Sequence, residues 1–164
     1  MSHPSDQTPT RINTILSTEL ALSNELLDIL QKEYNSLSNN DSAMFLALVE
    51  KKQTCAEKIQ EVEKQLTQHL ASQGYNHNKS DIEKLINTLS PDVKNTTLDT
   101  WQSLLNVAQQ CKQQNQVNGR TINLTHLKTK HAMALLSGKE ASPATYDQSG
   151  KTDDNSSSPS IVIV

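Results

Sequence analysis

The side chains able to hold a metal or attack a substrate are few, and their spacing argues against both uses. His3, His69, His77, His126 and His131 are scattered along the chain. His126 and His131 stand five apart, which on a helix puts them on different faces and not on one ligand-bearing side. Cys55 and Cys111 each fall on an apolar helical stripe, where a thiol behaves as a small buried hydrophobe in a reducing compartment. A phosphate-cradling glycine loop, a nucleophile elbow and a recognisable frame of paired carboxylates are all missing. The expectation is a protein that is not an enzyme, with no metal and no cofactor.

The more informative chemistry is polar and uncharged. The stretch "CKQQNQVNGRTINLTHL", Cys111 to Leu127, interrupts an amphipathic pattern with Gln113, Gln114, Asn115, Gln116, Asn118 and Gly119. Gly119 costs roughly 1 kcal/mol relative to Ala inside a helix, and an Asn on a seam must find a polar partner or stay unsatisfied. Asn115, Asn118 and Gly119 therefore mark either a joint that bends or is remodelled on binding, or a device that fixes helix register.

The elements that carry these residues are helical. Only 34% of the chain is apolar, aromatics number five, and four Gly with five Pro are too few for the turns of a β protein or a dinucleotide-binding domain. From Ile12, Leu16, Leu20, Ser23, Leu27, Leu30, Tyr34 and Leu37 recur at steps of three and four. Ile15, Leu22, Leu26 and Ile29 widen that line enough to face two neighbours. "SNND", Ser38 to Asp41, then reverses the chain. Phe45, Leu48, Lys52, Cys55, Ile59, Val62 and Leu66 carry a second helix to about Gln73, ended by Gly74; Lys52 is read as a stem snorkelling from the edge of this seam. Ser80 and Glu83 suggest a capping box for a short third helix, whose Ile82, Leu85, Ile86 and Leu89 suit a lid over one bundle end. After Pro91, Leu98, Trp101, Leu104, Leu105, Ala108, Cys111, Asn115, Asn118 and Ile122 predict a last helix from about Asp92 to Ser137.

The fold class expected is all-α, an elongated antiparallel bundle over residues 12–137, with a loose leader at 1–11 and a polar tail at 138–164. Net charge is −3, with Lys and Glu interspersed, which disfavours nucleic acid; no signal peptide and no membrane-length apolar run is present, so a cytoplasmic location is expected. The helix lengths then disagree. At 1.5 Å per residue the first two helices reach about 40 and 48 Å and the last about 65 Å, so part of the last must stand clear. Val117, Leu124, Leu127, His131, Ala134 and Leu135 form a second apolar line in that unreached part. A folded-back third helix, a second copy of the chain, or an external amphipathic helix can each cover it.

The order of elements, "NQVNG" at Asn115–Gly119 and "ATYDQSG" with Thr145, Tyr146, Asp147 and Gly150 together resemble the FlgN family of flagellar type III export chaperones over about residues 12–150. The resemblance implies a non-enzymatic chaperone that binds the C-terminal helical region of hook–filament junction proteins, FlgK-like or FlgL-like. It further implies delivery of these clients to an FlhA-like export gate, with only transient association with that membrane complex. It places client contacts at Val117, Ile122, Leu124, Leu127, His131 and Leu135, and gate docking at Tyr146. The terminal Ile161-Val162-Ile163-Val164 has no counterpart in that pattern. The rival reading is a structural coiled-coil adaptor, because the seams of the first two helices would also zip between chains.

Overall fold

A computed structural model describes residues 8–138, so the leader up to residue 7, Tyr146 and the Ile161–Val164 end lie outside the described residues. Four helices follow one another: α1 Thr8–Ser38, α2 Ser42–Ser72, α3 Lys79–Asn87 and α4 Pro91–Leu136. The chain is all-α. Helix α1 opens four residues before the expected Ile12.

The reversals form where short polar side chains and glycine permit them. Asn40 adopts φ 56° in the α1–α2 turn, a left-handed value that asparagine tolerates. Asp41 then caps α2 by accepting from the Met44 amide at 3.0 Å. At the far end Gly74, with φ 81°, lets the Tyr75 amide donate to Leu70 O and its own amide donate to Ala71 O. That pairing satisfies two carbonyls that the helix end would leave open.

The cap of α3 differs from expectation. Asn78, not Ser80, is the cap: its Oδ1 accepts from the Asp81 amide at 2.9 Å, while Asp81 Oδ2 accepts from the Asn76 amide at 3.0 Å. Asp81 is closer to the exposed amides than Glu83, and Glu83 accepts from Trp101 Nε1 of α4 instead. The Lys84 hydrogen bond, and after it the Asn76 amide, hold the Asp81 carboxyl down at about 2. A depressed carboxyl contributes stability above its unfolded value and loses it as pH falls through the folded one. The melting-temperature advantage of the wild type over Asp81→Asn, followed by circular dichroism, should therefore shrink as pH drops from about 4 toward 2.

Helix α1 is central and packs on both α2 and α4. Near its start, Ile12, Ile15 and Leu16 join Leu66 and Leu70 of α2, Ile82 and Ile86 of α3, and Trp101 and Leu104 of α4 in one cluster, so α3 closes this end. Further along, Leu26, Ile29 and Leu30 meet Leu48, Cys55 and Ile59 of α2 and Cys111 of α4. Both cysteines are buried and unpaired; burial, and then the neighbouring Cys55, pushes the Cys111 thiol up to about 11, far from a reactive thiolate.

The buried face of α1 keeps Leu16, Ser23 and Leu30 of the predicted line and Ile15, Leu26 and Ile29 of its widening. Leu20, Leu27 and Leu37 are only half-buried and Tyr34 is exposed, while Glu19, Glu33 and Ser36 lie inside. A helix sandwiched between two others buries the positions between its two contact lines, whatever their polarity.

Candidate partner-binding site on the overhanging helix

The site begins where the bundle ends. Helices α1 and α2 have 31 residues each and α4 has 46, so about 46 Å of bundle faces a rod of about 69 Å. The last buried layer is polar. Glu33 of α1 is fully buried; its Oε1 accepts from Lys52 Nζ of α2 at 2.6 Å and its Oε2 from Asn118 Nδ2 of α4 at 2.9 Å. Asn118 Nδ2 also donates to Leu30 O at 2.8 Å, and Asn118 Oδ1 accepts from Gln114 Nε2 at 3.0 Å.

Lys52 is thus corrected from a snorkelling stem to the counter-ion of a buried carboxylate. Among the polar candidates Asn118 is the one buried in the seam and bonded across it to α1. Asn115 is exposed and makes no bond across the seam, although it stands three residues from Asn118 and so on the same side of the helix.

Beyond Asn118 the helix runs on unbroken, through Gly119, to Leu136, where Ser137 and Gly138 at φ 65° end it. Exposure rises at once: Ile122 is 40% exposed, Leu127 50%, Leu124 59% and Leu135 72%. Val117 and His131 are exposed as well. Helix α3 lies at the opposite end of the bundle and covers none of them.

These residues form two lines. At 100° per residue, Val117, Leu124, Leu127, His131 and Leu135 fall within an arc of about 80°. Ile122 points about 180° away, extending the bundle seam toward Met133 and Leu136, both exposed. Met133 and Leu136 are the positions that the sequence reading missed; their spacing of eleven and fourteen residues from Ile122 repeats the seam and could have revealed them. Thr121, Thr125 and Thr129 donate their hydroxyls to carbonyls one turn back, Val117 O, Thr121 O and Thr125 O. The segment from Gly119 to Gly138 holds Arg120, Lys128 and Lys130 and no Asp or Glu. The rod is apolar on two sides, with Lys128 and Lys130 between them and Arg120 at the head of the Leu124 side.

A Cβ added at Gly119 would meet nothing within 4 Å. Gly119→Ala should therefore stabilise the local helix by about 1 kcal/mol, read as a roughly fivefold rise in amide protection around Asn118–Thr121.

Of the histidines, His69 is buried, with its pKa pushed down by burial and then by Arg11, whereas His126 and His131 are exposed. The described residues include no group of His, Cys, Asp and Glu placed to hold a metal ion, and no helix among them is long and apolar enough to cross a membrane.

The model of one protein family, described as "FlgN protein", matches residues 1–154. No curated protein matches the chain, and no solved structure does.

Proposed function

Because this chain belongs to the FlgN family of flagellar export chaperones, we propose that it captures the C-terminal helical region of a FlgK-like or FlgL-like junction protein on the overhang of α4. The capture keeps the client from assembling early and carries it to an FlhA-like export gate. The observation that supports this reading is the row of leucines left uncovered beyond Asn118, since burying each is worth about 1.5–3 kcal/mol once a partner supplies the other surface. The contacts proposed are Val117, Leu124, Leu127, His131 and Leu135 on one side and Ile122 on the other. Covering both sides takes a client that wraps the rod with helical segments against each line. Arg120, Lys128 and Lys130 favour acidic residues flanking the client's apolar face. Tyr146, outside the described residues, is proposed as the gate contact.

The test is a titration with the C-terminal helical segment of a junction protein, read by calorimetry and light scattering. A one-to-one complex, weakened by added salt, supports the reading. A free chain that is already a stable dimer through the overhang, and takes up no client, would favour the adaptor reading.

A further inference from the structure

A second feature lies within the bundle, on the covered length of α4. Helix α1 packs on both outer helices, and a cleft of about 280 Å³ remains between α2 and α4, bordered by the start of α3. Its floor is Glu19 and Ser23 of α1, and its walls include Ile59 of α2 with Trp101, Leu104 and Leu105 of α4. Glu19 is only 9% exposed, and its Oε2 has no hydrogen-bond partner. A carboxyl oxygen in such a position is costly unless something satisfies it.

The charges around it narrow the choice. Glu63 and Lys64 of α2 and His77 and Lys79 of the segment entering α3 line the mouth, and α4 adds no titratable group. Burial first, and then the Glu63 carboxylate, holds the Glu19 carboxyl up at about 7, and Glu63 is itself raised by burial. One carboxyl on the floor and a second at the mouth of a slot walled by Ile59, Trp101, Leu104 and Leu105 suit a ligand with a hydrocarbon stem and a cationic head.

We propose that this cleft is a binding site for one alkyl cation, the ammonium or guanidinium chemistry of a lysine or arginine side chain, with Glu19 as its counter-ion. The stem lies along Trp101 and the leucines; the head displaces water at Glu19 and brings the carboxyl to its charged form. The site does not depend on the overhang, so its test is separate from client capture.

Trp101 is the sole tryptophan and lines the cleft, so its fluorescence reports occupancy directly. Titration of the full chain with butylguanidinium and with Nα-acetylarginine amide should give saturable changes, and n-pentanol should give none. Glu19→Gln, with unchanged helicity by circular dichroism, should weaken both cations at least tenfold. Wild-type affinity should rise from pH 5 to 7 and level off above it, a rise retained in His77→Gln and lost in Glu19→Gln. Tighter binding of the arginine amide assigns the natural source to a polypeptide, and equal binding to a free amine. Identical titrations for wild type and Glu19→Gln, or equal saturation by the alcohol, would overturn the proposal.

Discussion

Lys52→Met should cost about 3–5 kcal/mol of folding stability in urea denaturation, because it leaves the fully buried Glu33 carboxylate without its cation. The remaining partner is Asn118 Nδ2, which is shared with Leu30 O. One neutral donor does not replace an ammonium at 2.6 Å from a carboxylate that is itself fully buried, although the lysine end of the pair is partly exposed. Glu33→Met combined with Lys52→Met should recover most of the loss, since Asn118 keeps the Leu30 carbonyl and the apolar pair refills the space. A surface ion pair would behave otherwise, with each single change worth under about 1 kcal/mol. The cycle therefore separates a buried three-helix tie from a superficial contact. The same tie resists slippage: shifting α4 by a turn would move Asn118 away from both Leu30 O and Glu33.

The second large effect concerns binding. Leu124→Asp with Leu127→Asp should reduce client affinity by more than a hundredfold, since two leucine contacts at about 1.5–3 kcal/mol each are exchanged for buried charge. Helicity should be nearly unchanged, because both side chains are at least half exposed and contribute little to the bundle. Ile122→Asp with Met133→Asp probes the opposite line. Comparable weakening there fits a client that wraps the rod, whereas an effect confined to Leu124 and Leu127 fits a single helix on one side. Unchanged capture by both double variants would remove the overhang from the reaction.

Much of the architecture was legible in the chain itself. The α2 seam through Leu48, Cys55, Ile59, Val62 and Leu66 is buried as its periodicity predicts, and Gly74 and Gly138 stand just beyond the helix ends. The overhang followed from lengths alone. Glu19 and Glu33 were not legible, because a glutamate on a helix normally faces water and the partners of Glu33 lie 19 and 85 residues away in sequence. Asn115 and Asn118 looked equivalent as composition, and only the packing of α1 against α4 separates them. Spacing puts Ile122 on the seam line with Trp101 and Asn118, and helical rotation keeps it there; only the family resemblance joins it to Leu124 and Leu127 as a client contact.

Amide hydrogen exchange, followed residue by residue with and without the client's helical segment, tests the central claim most directly. In the free chain, amides from Gly119 to Leu136 should exchange far faster than those of the α1–α2–α4 core around Leu30 and Cys111. On adding the client, that same segment should gain at least tenfold protection while the core changes little. Protection already high in the free chain, or gained elsewhere with the overhang unchanged, would contradict the account.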